Sequence, residues 1–223
     1  MEEVKITSLF DLAHTIAADY LKGFDYPWEA LAGIKDEILA LQEKLDKSEY
    51  LISGEKNDIY IHKTAKVAPT ACINGPCIIG PDTEVRHCAF IRGSALVGSG
   101  AVVGNSTELK NVIIFDNAQV PHYNYVGDSI LGYRAHMGAG SITSNVKSDN
   151  SDVTIKAGVV ELLTGRRKVG AFLGDHAEIG CNSVLNPGTV IGRNTNVYPL
   201  SMVRGFVPES TIYKNKNERV TKQ

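Results

Sequence analysis

Large apolar residues stand six positions apart without interruption over residues 61–115. The ten members of this series are Ile61, Val67, Ile73, Ile79, Val85, Ile91, Val97, Val103, Leu109 and Phe115. An α-helix repeats every 3.6 residues and a β-strand every two, so neither element alone produces a strict period of six. One short strand and one turn per unit does produce it, and this is the hexapeptide-repeat pattern of a parallel β-helix.

A second regularity supports the coil, because a small residue follows each of the first eight apolar ones four positions later. These are Ala65, Ala71, Cys77, Thr83, Ala89, Ala95, Ala101 and Thr107. Beyond this series the frame slips, although Val126, Leu131 and Met137 are each still followed by glycine. The period is lost over residues 145–169 and resumes at Leu173. The polar stretch predicts an insertion that projects from the coil, and such insertions typically build a binding face.

The amino-terminal residues follow helical spacing instead. Ser8 with Asp11 resembles a capping box and Gly23 suits a carboxyl-terminal cap, so residues 9–22 are predicted to form a helix. Pro27 suits the first turn of a second helix. The apolar stripe of that helix is Trp28, Leu31, Ile34, Ile38, Leu41 and Leu45.

The chain is therefore predicted to be all-β apart from this two-helix segment. We expect a helical cap in residues 1–50, which covers the open end of the coil and its unpaired strand edges. A docking surface for another protein is the alternative for these helices. The β-helix itself is expected in residues 51–213, with the inserted loop at about 145–169, and residues 214–223 are expected to form a polar tail.

Composition excludes several function classes. The net charge of −2 over 223 residues gives no electrostatic basis for binding nucleic acid or an anionic membrane. No apolar run approaches a membrane span, and no signal peptide is predicted. The four cysteines have neither CxxC nor disulfide-framework spacing, so we expect reduced thiols in a cytoplasmic protein.

Candidate chemistry concentrates in residues 121–145, between the frame slip and the insertion. This stretch holds His122, Tyr125, His136 and a Gly-Ala-Gly turn. A histidine can act as a general base near neutral pH with little tuning. The alternative from the residues alone is that His122 merely packs at a corner of the coil.

Linked motifs give a more specific signal than the repeat. They are ELKN at 108–111, PHYNYVGD at 121–128, GAGSITSN at 138–145 and TGRRK-x-GA at 164–171. In this order they resemble the acetyltransferase domain of bifunctional glucosamine-1-phosphate acetyltransferase/N-acetylglucosamine-1-phosphate uridylyltransferase, and above all the archaeal-type sugar-1-phosphate nucleotidylyltransferase/acetyltransferases. The similarity covers about residues 25–205, and the nucleotidylyltransferase domain is expected to be absent.

This resemblance implies a left-handed β-helix and a homotrimer with active sites between subunits. It also implies acetyl-CoA as donor, without a metal, and an amino-sugar 1-phosphate of the glucosamine or galactosamine type as acceptor. The family's general base falls on His122, its tyrosine beside the sugar on Tyr125 and its loop asparagine on Asn145. The acceptor phosphate contacts fall on Arg92, Lys110 and Lys168. The sugar contact falls on His136, and the CoA contacts fall on Ala139, Cys181 and Pro199.

These residue types suit the implied chemistry. An amine that attacks a thioester must lose a proton, which His122 can accept. A backbone N–H within residues 137–140 can stabilise the tetrahedral oxyanion. Arginine can grip two phosphate oxygens, whereas lysines act as point charges. The chain departs from the bacterial enzymes at His136, at Val146 beside CoA and at two of the CoA contacts, which leaves the acceptor open.

Two other functions stay open. The first is a non-catalytic, trimeric sugar-nucleotide-binding or scaffold protein that partners a separate nucleotidylyltransferase. The second is a zinc hydrolyase of the γ-carbonic anhydrase type, although the six histidines lack the H-x4-H pair that this family uses.

Overall fold

The computed structural model describes residues 1–222. Most of the chain winds into a parallel β-helix with a triangular cross-section, and strands stack in register from coil to coil. Ile61 pairs with Ile79 and Ile79 with Val97, so one coil takes 18 residues. We call the three sides faces A, B and C in chain order, and we name the corners by the two faces they join. The predicted fold class, an all-β left-handed parallel β-helix with an amino-terminal helical segment, is confirmed.

Each face is a ladder of short parallel strands. The strands of face A are Ile59–His62, Cys77–Ile79, Ala95–Val97, Ala171–Leu173, Thr189–Ile191 and Phe206–Val207. Those of face B are Lys66–Val67, Glu84–Val85, Val102–Asn105, Gln119–His122, His136–Met137, Glu178–Ile179, Asn196–Val197 and Thr211–Asn215. Those of face C are Cys72–Ile73, Phe90–Ile91, Ile142–Thr143, Val184–Leu185 and Met202–Val203. Two longer strands, Glu108–Ile114 and Tyr125–Leu131, run from face C through the corner into face A.

The six-residue series is interrupted earlier than the sequence indicates. Val97 pairs with Ile114, only 17 residues later, so Ile114 rather than Phe115 occupies the interior position. The missing residue is lost at the C–A corner, where Asn111 bends the strand with a φ of 55°. Phe115 is fully buried, but it packs against Phe10, with ring centroids 5.3 Å apart, outside the coil.

The amino-terminal segment contains more, shorter helices than predicted. Its α-helices are Ile6–Leu9, Ala18–Leu21, Pro27–Ala30 and Ile34–Lys44, and its 3-10 turns are Glu2–Val4, Leu12–His14 and Lys47–Glu49. The single helix predicted over residues 9–22 is therefore wrong. The Asp11 carboxylate accepts from Ala13 N at 3.0 Å and the Thr15 hydroxyl from Ala17 N at 3.2 Å. Such local side-chain bonds compete with helix formation. Pro27 does begin a helix, as predicted.

These helices lie along face A rather than over the open end of the coil. Their apolar side chains pack on the outward residues of successive face A strands, which are Tyr60, Ile78, Leu96, Ile113, Ile130, Phe172, Val190 and Phe206. Interior residues of the first coil, such as Ile61 and Val67, stay only partly buried. The sequence shows the apolar stripe of residues 28–45, but its partner could not be identified because these outward residues lie outside the six-residue series.

The buried carboxylate of Asp175 ties the helical segment to the coil. It accepts from Asp11 N at 2.7 Å and from Tyr133 N at 2.8 Å, and Arg193 lies 3.4 Å away. Asp175 N in turn donates to Leu9 O at 3.0 Å. Burial raises the pKa of this carboxyl.

An antiparallel strand covers the first edge of the face A ladder, and another covers the last edge of the face B ladder. Tyr50–Ser53 pairs with the first strand of face A, and Glu218–Thr221 pairs with Thr211–Asn215 on face B, so the predicted polar tail contains a hairpin strand. The insertion leaves the coil at the C–A corner and contains a hairpin of Thr154–Ala157 and Val160–Leu163. Within residues 1–222, no helix combines the length and the apolar character needed to cross a membrane.

Candidate active site

His122 lies at the B–C corner, at the end of strand Gln119–His122, with its side chain exposed. Its backbone is held on both sides, since His122 N donates to Asn124 Oδ1 at 3.1 Å and His122 O accepts from Gly140 N at 3.0 Å. The buried Asn124 amide also donates to Gly138 O at 2.8 Å and Ser141 O at 3.0 Å. Two consecutive B–C corners are thus locked together, and the imidazole projects from a rigid backbone.

The three predicted CoA contacts lie in one column at the same corner. Gly140 N donates to His122 O, Asn182 N to Ala139 O at 2.8 Å, and Leu200 N to Cys181 O at 2.9 Å. His122, Ala139, Cys181 and Pro199 therefore follow one another in successive coils. Within residues 1–222 the N–H of Ala139 has no hydrogen-bond acceptor, whereas the N–H groups of its neighbours Gly138 and Gly140 are used. Among the N–H groups of residues 138–140, that of Ala139 is therefore the candidate oxyanion donor.

A polar cluster occupies the C–A corner, at the other edge of face C. Arg92 Nη1 lies 2.8 Å from Glu108 Oε1, and Lys110 Nζ lies 3.2 Å from Asp128 Oδ2. The predicted phosphate-binding cations Arg92 and Lys110 therefore each have a carboxylate partner. Two residues that the sequence did not single out, Glu108 and Asp128, set the charge of this corner.

Asp128 is the centre of the cluster, and its side chain is only 4% exposed. Besides Lys110, it accepts from Asn111 Nδ2 at 2.9 Å and from Asn145 Nδ2 at 2.6 Å. Asn111 Nδ2 also donates to Leu31 O at 3.2 Å, which connects the cluster to the helical segment. In the sequence, only its place in the YVGD motif marks Asp128 as a candidate site residue. In the structure it lies at the corner where the coil loses a residue for the second time.

Tyr125 lies on face C, on the strand that connects the two corners. Asn145 Nδ2 donates to its hydroxyl oxygen at 3.1 Å. Burial raises the pKa of Tyr125, and the nearby carboxylates of Asp128 and Glu108 raise it further. The phenol is therefore neutral at physiological pH, and its O–H can donate to a ligand. The structure brings together the predicted residues Tyr125, Asn145, Lys110 and Arg92 around this edge of face C.

Lys168 returns the chain from the insertion to the same corner. It forms an antiparallel bridge with Val146, and Val169 N donates to Asn145 O at 3.0 Å. The side chain of Lys168 is exposed, and no carboxylate within residues 1–222 forms an ion pair with it. The backbone of Lys168 therefore lies beside Val146, the residue that follows Asn145, and its role in binding phosphate stays a prediction.

His136 is the one predicted site residue that belongs to neither of these two clusters. It points outward from face B, between Gln119 and Glu178 in the ladder, and its Nδ1 lies 2.8 Å from Glu178 Oε2. The two clusters flank face C, so His136 of the same chain does not reach the C–A corner. The described residues contain no group of three histidine, cysteine or carboxylate side chains arranged to hold a metal ion.

Comparisons with known proteins show which families and proteins this chain resembles. Residues 73–162 match the family model of the GMPPB C-terminal domain. The bifunctional protein GlmU of Methanococcus aeolicus is 30% identical over 210 residues, which are 86% of this chain and 50% of that protein. The bifunctional sugar-1-phosphate nucleotidylyltransferase/acetyltransferase of Sulfurisphaera tokodaii is 30% identical over 176 residues, which are 71% of this chain and 44% of that protein.

The chain resembles a hexapeptide-repeat acetyltransferase domain of the GlmU kind. The resemblance predicted from the linked motifs is thus confirmed. The chain spans about half the length of the curated relatives it matches. A solved hexapeptide transferase family protein from Anaplasma phagocytophilum is 17% identical, with a TM-score of 0.41 over 73% of this chain and 78% of that one.

Proposed function

We propose that this protein transfers the acetyl group of acetyl-CoA to the amine of an amino-sugar 1-phosphate. The observation that supports this most is the pair of clusters that flank face C. One holds an exposed histidine above a column of backbone contacts, and the other holds three cations, an amide and a neutral phenol. The names of the curated relatives, which include acetyltransferase activity, point to the same reaction.

In this proposal the acceptor lies on the outer surface of face C. Its phosphate is bound by Arg92, Lys110 and Lys168, whose charge is partly offset by Glu108 and Asp128. With three cations and two carboxylates the corner carries a net charge of +1, which favours a phosphate while limiting non-specific anion binding. Tyr125 donates its hydroxyl hydrogen to the sugar.

The donor follows the B–C corner. The column formed by Ala139, Cys181 and Pro199 would hold CoA, and it brings the thioester next to His122. The imidazole takes the proton that the attacking amine loses, and the free N–H of Ala139 stabilises the oxyanion. Collapse of the tetrahedral intermediate expels the CoA thiolate, so the products are the N-acetyl sugar phosphate and free CoA. No step requires a metal ion.

We further propose a homotrimer in which a second copy completes each site. Large apolar side chains stand exposed on face C and its B–C edge, namely Phe90, Tyr198, Leu200 and Met202, with Leu200 80% exposed. Face A is covered by the helical segment and face B is more polar, so face C offers the apolar surface for association. Such contact would bring His136 from face B of the neighbouring copy toward the acceptor sugar. Four unpaired thiols fit a reducing cytoplasm.

Release of free CoA, followed with a thiol reagent, tests the proposal. The acceptor panel contains glucosamine 1-phosphate, galactosamine 1-phosphate, free glucosamine and a nucleotide-linked amino sugar. We expect turnover with an amino-sugar 1-phosphate, and His122→Ala is expected to lower kcat about 10²- to 10⁴-fold.

His87→Ala is the matched control, because His87 is also exposed at a B–C corner, two coils earlier. This variant is expected to keep wild-type turnover. If the protein releases no CoA from acetyl-CoA with any of these acceptors, the acetyltransferase proposal fails and a non-catalytic binding or scaffold protein is favoured. Equal losses in both histidine variants would refute the role of His122.

A further inference from the structure

The Asp128 carboxylate has all of its hydrogen-bonding capacity taken up by its neighbours. Lys110 Nζ contacts both oxygens at 3.2 and 3.3 Å, Asn111 Nδ2 donates to Oδ1, and Asn145 Nδ2 donates to Oδ2. An ionised carboxylate offers about four acceptor positions and no donor. Any amide that contacts Asp128 must therefore turn its NH₂ group, and not its carbonyl oxygen, toward it.

The orientation of the Asn145 amide follows from this requirement. One of its N–H groups points to Asp128 at 2.6 Å and the other to the Tyr125 hydroxyl oxygen at 3.1 Å. An asparagine side chain has two donors, so its carbonyl oxygen is the group left for a ligand. Because the Tyr125 oxygen accepts from Asn145, its own hydrogen is likewise free to donate.

We propose that Asp128 is a positioning residue that sets the hydrogen-bond polarity of the acceptor subsite. Through Asn145 it presents a carbonyl oxygen to the substrate, so the subsite selects a hydrogen-bond donor such as an amine over an acceptor of similar size. Asn145 offers an acceptor and Tyr125 a donor, so together they select a ligand that donates a hydrogen bond at one atom and accepts one at the next. This inference rests on the proposed function and names the group by which the substrate is recognised.

The shortened corner holds Asp128 in a single orientation. Its backbone has a φ of 49°, its carbonyl accepts from Gly170 N at 2.8 Å, and the side chain is buried. Aspartate is one of the few residues that adopt this left-handed conformation readily. The neighbouring residue Asn111 has the same conformation one coil earlier, with a φ of 55°. The carboxylate therefore cannot swing away, and the amide must adapt to it.

Asp128→Asn tests the polarity without changing the size of the side chain. Calorimetry would compare glucosamine 1-phosphate, whose amine donates, with 2-deoxy-2-fluoroglucose 1-phosphate, which can only accept at that carbon. We expect the wild type to bind the amino sugar more tightly than the fluoro sugar. Asp128→Asn is expected to reduce the ratio of the Kd for the fluoro sugar to the Kd for the amino sugar about 10- to 100-fold. The double variant Asp128→Asn/Asn145→Asp exchanges donor and acceptor between the two positions, so we expect it to regain most of the preference.

Asp175→Asn is the matched control, since Asp175 is also a buried carboxylate that accepts several hydrogen bonds, but at the A–B corner. We expect it to lower the melting temperature and to leave the Kd ratio within about two-fold, because its partners do not contact Asn145. An unchanged ratio in Asp128→Asn, or an equal change in both variants, would overturn the proposal.

A second readout does not depend on any substrate. In protein labelled with ¹⁵N-asparagine, the side-chain NH₂ signal of Asn145 is assigned by its loss in Asn145→Ala. Asp128→Asn should shift this signal strongly and Asp175→Asn should leave it in place. If the wild type neither binds the amino sugar nor releases CoA, the proposed function fails, and the Asn145 signal still decides the role of Asp128. A signal that does not move in Asp128→Asn contradicts that role.

Discussion

Gly104 lies directly beneath the corner that carries His122. A Cβ atom added at residue 104 would stand 1.6 Å from Pro121 O, 1.9 Å from Pro121 C and 2.3 Å from Pro121 Cα. These are backbone atoms of the residue before His122, so no side-chain rotation can relieve the overlap. Since carbon atoms approach to about 3.5 Å, the Gly104→Ala variant must move the Pro121–His122 backbone by roughly 1.5 Å.

This displacement changes the position of the proposed base without removing any chemical group. A misplacement of about 1 Å can cost about 10²-fold in rate, which corresponds to about 2.7 kcal/mol of transition-state stabilisation. Overpacking should also lower the free energy of unfolding by about 1–3 kcal/mol, at about 2–4 °C of melting temperature per kcal/mol. We therefore expect kcat/KM for CoA release to fall about 100-fold in a protein that still melts cooperatively.

Gly192→Ala provides the comparison, because its Cβ would stand 2.3 Å from Glu209 N, again a backbone clash, but at an A–B corner. It should lower the melting temperature by a similar amount and keep the wild-type kcat/KM. The kcat/KM of each variant is measured at 25 °C, and its melting curve is followed by circular dichroism. If Gly104→Ala is destabilised but retains full kcat/KM, or if both variants lose activity equally, the B–C corner is not the catalytic one.

Three further predictions concern stability and reactivity. Trp28 is 3% exposed and its ring centroid lies 6.1 Å from that of Phe172. Trp28→Ala should therefore lower the free energy of unfolding, measured by urea denaturation, by about 3–5 kcal/mol. A loss below about 1 kcal/mol would contradict the packing on face A. Burial raises the pKa of Asp175 above its unfolded value near 3.8, so the native state binds more protons and its stability falls as the pH rises above that value. The melting temperature of Asp175→Asn relative to wild type should therefore increase between pH 4 and 7, and a constant difference would refute this. Burial also raises the pKa of the Cys77 thiol far above its ordinary value, so a thiol reagent should modify Cys77 only after unfolding. The exposed thiols that should react in the native protein are Cys72, Cys88 and Cys181.

The coil could be predicted from the sequence because its interior positions are strictly periodic. A narrow interior accepts one apolar side chain per strand, so Ile61 or Val97 is informative wherever it stands in the series. The same argument is wrong at Phe115, since an apolar residue outside the coil satisfies the period equally well when a helix covers it. The period describes spacing along the chain, whereas the loss of one residue at Asn111 is visible only in the register of paired strands.

The candidate site could be predicted only in part, for a related reason. Matching motifs locate His122, Tyr125, Arg92 and Lys110, whose side chains carry distinctive chemistry. They do not reveal pairing, so the carboxylate opposite each cation was missed. Residues 17 or 18 apart become neighbours in adjacent coils, and Lys110 and Asp128 are 18 apart. A search for opposite charges at that separation would have found this pair and would have been a direct use of the predicted fold.

The shortened C–A corner connects the fold to the proposed chemistry. A regular coil has one residue more at this corner than the shortened coils, and its side chains lie further apart along the surface. Where a residue is lost, strands Glu108–Ile114 and Tyr125–Leu131 run through the corner, and Asn111 and Asp128 take the left-handed conformation at the bend. Two successive shortened coils therefore stack Lys110, Asn111 and Asp128 closely enough for direct hydrogen bonds. The next coil places the insertion at this same corner and adds Asn145, so a local deletion in the repeat is what converts a structural corner into a buried polar cluster.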